Sequence, residues 1–261
     1  MDNQTQFKIW YRPEICDKFD FRIKYIWNLE TELKKVPWNN NTFDWETWSV
    51  FKVSEQFIFD KKKFSITQPE MTAIYLNFSN KSFQESIKNL KNLEKDMTWF
   101  FDFEEKWFDL LENIIASIIF SVSALEVFFN QHLINSNETD ELITVTNENW
   151  EIKGYNKKAL EWLSIEEKFL WALPIIYKID RTLIKKIESN FKQLIKIRNR
   201  LVHLKSIDLK NNVDIKKQTT LRKQLFEQTK NNPAILSKNI IKFFYDEWKI
   251  EYPRWLRLLP F

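Results

Sequence analysis

Hydrophobic positions recur at helical spacing along most of the chain beyond residue 80 and cluster in short runs before it. Ile23, Ile26, Trp27 and Leu33 predict a helix over Phe21 to Val36, ended by Pro37 and the Asn39-Asn40-Asn41 cluster. Phe57-Ile58-Phe59 and Phe64-Ser65-Ile66, separated by Asp60 and three lysines, predict a small hairpin. Phe83, Ile87, Leu90 and Leu93 place a helix over Ser82 to Lys95. The strongest signal begins at Asp102, a helix cap followed by Glu105, and runs from Trp107 through Leu111, Ile114, Ile118, Val122 and Leu125 to Phe129. Ser117, Ser121 and Ala124 form a line of small residues along it, where a neighbouring helix is expected to approach closely. The run stops near Asn135-Ser136-Asn137.

Beyond it, Ile143 to Val145 and Trp150 to Ile152 predict a second short hairpin. Ser164-Ile165-Glu166-Glu167 is a capping box opening a helix that Pro174 must kink or end, because proline lacks the N–H and crowds the preceding turn. Asp180 caps the next helix, with Leu183, Ile184, Ile187, Phe191, Leu194, Ile195, Leu201 and Val202 in register. Residues 206–232 are polar and aperiodic, and Asn232-Pro233 then starts a last helix carrying Leu236, Ile240, Phe244 and Trp248. The apolar tail, Tyr252 to Phe261, requires a groove to dock in. The expected fold is mainly α: a helical bundle over residues 101–261 with a C-terminal helix and docked tail. An extension over residues 1–100, of mixed but mostly helical structure, precedes it as a sensor or partner-binding part.

Composition narrows the chemistry. At 261 residues, 44% hydrophobic and 16% aromatic, the chain can bury a substantial core. It contains one glycine, Gly154, whereas phosphate-cradling loops, dinucleotide fingerprints and nucleophile elbows each need several. Those three site types are excluded. Cys16, His132 and His203 are the whole stock of thiol and imidazole ligands, too few for a zinc site without carboxylates. No metal and no cofactor is expected, and only a carboxylate-held magnesium ion survives as a metal alternative. A lone cysteine and a polar N-terminus without a secretory pattern predict a cytoplasmic protein. The longest uncharged run, Asn113 to Leu125, has 13 residues. That is short of the roughly 20 that span a bilayer, so it reads as a buried helix rather than a membrane anchor.

The net charge of +4 hides an asymmetry: residues 1–180 carry 21 Lys/Arg against 29 Asp/Glu, and residues 181–261 carry 19 against 7. Arg181 to Lys205 alone holds eight basic residues and a single acid, Glu188. Such a stripe attracts a polyanion and makes binding steeply salt-dependent. It is equally the pattern of a solvated helix face answering acidic neighbours in the same molecule.

Within that stripe lies Ile197-Arg198-Asn199-Arg200-Leu201-Val202-His203. Arg-Asn-x-x-x-His near the end of a bundle helix resembles the signature of the HEPN superfamily of ribonucleases and nucleotide-binding proteins. Ser123-Ala124-Leu125-Glu126-Val127-Phe128-Phe129-Asn130 and Leu163-Ser164-Ile165-Glu166-Glu167-Lys168-Phe169 also resemble bacterial members, so the likeness covers about residues 102–205. The residue chemistry is compatible with RNA cleavage. Attack by the 2′-hydroxyl needs a base for its proton, an acid for the departing 5′-oxygen and positive charge on the phosphate. A histidine titrating near neutrality serves either proton transfer, and a guanidinium grips two phosphate oxygens at once. Arg198, His203 and Asn199 are therefore the candidate catalytic residues of a metal-independent endoribonuclease leaving a 2′,3′-cyclic phosphate, with Arg200, Lys196 and Lys205 guiding the RNA. Glu126 and Asn130 are supporting candidates.

At about 100° per residue, Arg198 and His203 lie roughly 140° apart around one helix, so a single chain presents half a site. A homodimer is expected, in agreement with the dimeric cleft the resemblance implies. The family's habits further imply a toxin or phage-defence effector with a regulatory or antitoxin partner. In toxin pairs silenced by modification of a tyrosine two residues after the motif histidine that tyrosine is required, and Lys205 stands there instead. Other readings stay open. Arg198 can simply pair with a carboxylate such as Glu126, and His203 can cap its helix, leaving a non-catalytic RNA- or nucleotide-binding or dimerisation module. A magnesium-dependent nuclease would use Asp102, Glu104, Glu105 and Asp109. His132 reads as structural, and most of the 12 tryptophans as core.

Overall fold

The computed structural model describes residues 7–9, 25–26, 50–52, 54–59, 62–67, 69–95, 100–136, 143–146, 152–155, 157–203 and 221–261. The chain is mainly α-helical. It divides into two compact units, one of Met1–Ile74 with Pro253–Pro260 and the other of Tyr75–Tyr252 with Phe261.

In the first unit β1 (Phe7–Ile9), β2 (Tyr25–Ile26) and β3 (Val50–Lys52) form an antiparallel sheet with β3 in the middle. Tyr25 and Ile26 lie opposite Lys52 and Phe51, so a strand replaces the helix expected there. Aromatic and β-branched residues suit a pleated surface, and the pattern around Ile26 was too short to separate the two periods. The remainder of that expected helix lies outside the described residues. The first expected hairpin is present as β4 (Ser54–Phe59) and β5 (Lys62–Thr67), with Phe57 opposite Phe64. Lys62 and Lys63 belong to the second strand, because pairing Phe59 with Lys62 leaves a two-residue connection, a favoured hairpin length.

Ahead of the expected Ser82 begins α1 (Met71–Lys95), and α2 (Phe100–Ser136) is the long apolar helix. By length and composition its stretch Glu105–Ile134 could cross a membrane, because an 18-residue run within it carries no more than two charged residues. Yet Leu110, Ile114, Ile118, Val122, Leu125, Phe129 and Leu133 along it are buried in the protein core. The second hairpin, β6 (Ile143–Thr146) and β7 (Ile152–Tyr155), pairs Thr144 with Gly154. Its second arm starts where the expected arm ended, since Gly154 masked the strand signal; Trp150 lies outside the described residues.

Next come α3 (Lys157–Glu161), which the sequence pattern missed, and α4 (Ile165–Glu167). Ser164 caps α4 through the full capping box: Glu167 N–H donates to Ser164 Oγ, and Ser164 N–H donates to the Glu167 carboxylate at 2.8 Å. A π turn over Lys168–Ala172 continues into α5 (Leu173–Ile176), so Pro174 follows a widened turn instead of breaking the segment outright. The motif helix α6 (Arg181–Val202) opens on Asp180, whose carboxylate accepts the Thr182 N–H at 2.8 Å. Part of the region read as aperiodic is helical: α7 (Leu221–Glu227) leads into a 3₁₀ turn at Gln228–Lys230. Asn232 caps α8 (Pro233–Trp248) as expected, accepting the Ala234 N–H at 3.0 Å. The tail forms α9 (Arg254–Leu258) with Trp255, Leu256 and Leu259 buried, and Lys238 holds the last residue, Phe261, through its carbonyl and its ring.

Inside the second unit α2 packs on α3, α6, α7 and α8, and α6 packs on α7 and α8. The core changes character along α2. Toward its N-terminal half Leu93, Leu110, Ile114, Ile118, Ile197, Leu221 and Leu225 form an aliphatic cluster. Toward its C-terminal half Phe129, Phe169, Phe191 and Phe244 interlock, with Phe169 and Phe191 stacked at 3.9 Å between centroids. The line of small residues does what its spacing predicts. Ser79 Oγ donates to the Ser117 carbonyl at 2.7 Å and Ser237 Oγ to the Ser121 carbonyl at 3.1 Å, so α1 and α8 both approach α2 across hydroxyl-sized gaps.

Candidate functional site

The last turns of α6 carry the Arg-Asn motif to an open cleft. Buried Leu194, Ile195 and Ile197 anchor this part of the helix in the core, which leaves Arg198 and Asn199 half-buried beside α2. The cleft, about 390 Å³, is lined by Glu126 and Asn130 of α2, by Leu163 to Glu166 and Lys168 around α4, and by Arg198 and Asn199. That volume lies within the range of small-ligand sites.

Arg198 Nη2 donates to the Glu126 carboxylate, and its Nη1 donates to Asn199 Oδ1 at 3.1 Å. The pairing with Glu126 considered from sequence is thus real, yet it leaves further guanidinium N–H groups for a ligand, and the arginine side chain keeps 24% of its surface exposed. Asn130, one helical turn from Glu126, has its Oδ1 buried without a hydrogen-bond partner. Lys168, to which sequence reasoning gave no role, is only 7% exposed and donates from Nζ to the Glu161 carbonyl at 2.7 Å. Burial pushes its ammonium below the ordinary lysine range, against the opposing pull of Glu126, Glu161 and Glu167.

His203 lies elsewhere. It is the C-cap of α6, exposed, with its backbone N–H donating to the Asn199 carbonyl at 2.8 Å, and it is absent from the cleft lining. One chain therefore does not bring Arg198 and His203 together. Among the other candidates Arg200 Nη1 donates to Gln224 of α7 at 2.8 Å, Lys196 is exposed, and Lys205 lies outside the described residues. His132 sits in an aromatic cage with Phe128 and Trp248 rings both 4.4 Å away, and burial drives its pKa down to about 4, which suits a structural, neutral imidazole. Of the tryptophans, Trp162 departs from the expected core position: it stands 83% exposed next to the cleft-lining segment. Glu105 and Asp109 are exposed on α2, and among the described residues no three His, Cys, Asp or Glu side chains gather to hold a metal.

Comparison with protein-family models, with curated proteins and with solved structures finds no match to this chain.

Proposed function

We propose that this chain is a metal-independent endoribonuclease of the HEPN type, cutting RNA to 2′,3′-cyclic phosphate ends from a site shared by two copies. The observation that carries the reading is the exposure of both chemical groups. Arg198 opens into a solvent-reachable cleft on a guanidinium fixed by Glu126 and Asn199, and His203 stands uncovered at the end of the same helix. A fixed guanidinium stabilises the crowded phosphate in the transition state, and a solvent-reachable imidazole can take up or give a proton. Since the two diverge on one helix, the imidazole that completes a cleft comes from a second copy, giving a two-fold assembly. Arg200 and Lys196 extend a basic face along which RNA is held. The cellular role in this reading is that of a cytoplasmic toxin or defence effector under the control of a partner protein.

The test is incubation of the purified chain with RNA in excess EDTA. Cleavage is expected to persist, and to be lost in both Arg198→Ala and His203→Ala with unfolding transitions retained. The ion pair of Arg198 with Glu126 favours one other reading, a binding or dimerisation module in which that arginine is structural. In that case RNA is bound but never cut, and Arg198→Ala destabilises the fold. Activity that vanishes with EDTA points instead to the magnesium alternative.

A further inference from the structure

Four ionised side chains line the cleft, Arg198 and Lys168 against Glu126 and Glu166. Glu126 is engaged by Arg198 directly, and Lys168 feels Glu126 foremost among the carboxylates around it. Lys168 is not a solvated surface lysine: it is nine-tenths buried and tethered through Nζ to the Glu161 carbonyl. Its other near acids are committed or outward. The Glu167 carboxylate is held by Ser164 N–H and Oγ, both at 2.8 Å, and Glu161 is exposed. Placing an ammonium in so enclosed a position incurs a desolvation cost, which the carboxylates around it, Glu126 first, offset.

We infer that Lys168 is a positioning residue for Arg198: by offsetting the Glu126 carboxylate it keeps the cleft from becoming net negative and leaves the guanidinium free to hold an RNA phosphate. With Lys168 the four lining charges sum to zero, and without it they sum to −1. A guanidinium whose only neighbour is a carboxylate is already neutralised, and a phosphate approaching it meets that carboxylate as a like charge. A second cation lining the same cleft offsets that carboxylate while Glu126 still fixes the orientation of Arg198. The orphaned Asn130 Oδ1 on the same wall is a further sign that the cleft is built to face a ligand.

This inference rests on the ribonuclease reading, so the experiment measures two things on the full chain: cleavage of RNA, and binding of an RNA oligonucleotide made uncleavable by 2′-O-methylation, followed by fluorescence anisotropy. Lys168→Met keeps the buried stem and removes the charge. It is expected to weaken oligonucleotide binding and raise KM about tenfold, while Lys168→Arg stays within about threefold of wild type. The deciding variant is Lys168→Met combined with Glu126→Gln, which restores the lining charge to zero and is expected to bind RNA better than Lys168→Met alone. Glu126→Gln by itself is expected to tighten binding of the uncleavable RNA. A structural lysine predicts the opposite, with the double variant no better than the single one; that result, or wild-type binding by Lys168→Met, overturns the inference. If Lys168→Met does not fold, Glu126→Gln alone decides, and weaker or unchanged binding overturns it. A wild-type chain that binds the oligonucleotide with these charge effects but cuts no RNA overturns the ribonuclease reading while leaving the charge balance intact.

Discussion

His132 is held between two tyrosine hydroxyls, one at each ring nitrogen. Its Nδ1 lies 3.1 Å from the Tyr177 hydroxyl and its Nε2 3.3 Å from the Tyr245 hydroxyl, and Tyr177 O–H reaches the His132 carbonyl at 3.4 Å. One neutral tautomer satisfies all three contacts: Nδ1–H donates to Tyr177, Tyr177 donates to the carbonyl, and Nε2 accepts from Tyr245. Protonating Nε2 removes that acceptor. Because the native pKa, about 4, lies below the unfolded value near 6.5, the unfolded chain binds the extra proton first, and stability falls as pH drops through this window. The loss amounts to about 3 kcal/mol by pH 4. Urea midpoints measured from pH 7 to pH 4 are expected to fall less steeply in His132→Gln than in wild type, and equal slopes would refute this account. The Arg198 and Glu126 pairing was legible in the sequence, since both residues belong to recognisable segments. Lys168 was not, because nothing in a linear pattern says that a lysine is buried.

Helices with strong periodicity and explicit caps were readable at the scale of elements, and those without either were not. Asp180, Ser164 and Asn232 each cap the helix they were expected to open. By contrast α3, α7 and α9 are of seven residues or fewer, too short for a helical period to stand out from loop sequence. The Asn232 cap also donates from Nδ2 to Asn80 Oδ1 at 2.8 Å, tying the start of α8 to α1. Asn232→Ala is expected to cost about 1–2 kcal/mol in chemical denaturation. The small-residue line makes a sharper demand. Ser121 is wholly buried where the Ser237 hydroxyl meets its carbonyl, so Ser121→Leu forces α8 away from α2. It is expected to destabilise by about 1–3 kcal/mol, whereas Ser189→Leu on the exposed face of α6 should be near neutral.

Charge asymmetry and the angular divergence of the motif set the expectations for the molecule as a whole. If each working cleft takes its guanidinium from one copy and its imidazole from the other, Arg198→Ala and His203→Ala chains, each inactive alone, should complement when mixed after subunit exchange. Random pairing restores up to about a quarter of wild-type cleavage, and no recovery at all would place the chemistry within one chain. RNA affinity should fall steeply with salt, and Lys196→Ala should lower the slope of log K against log salt by about 0.7 if that exposed lysine neutralises one phosphate. The π turn over Lys168–Ala172 has a consequence for how such a molecule can change. A widened turn of this kind holds one residue more than the regular helix needs. Deleting a single position there would rotate everything on its N-terminal side by about 100° relative to the Leu173–Ile176 anchor. The ammonium of Lys168 would swing off the wall and Phe169, stacked on Phe191, would leave the core with it, so the register of this one turn ties the cleft to the stability of the fold.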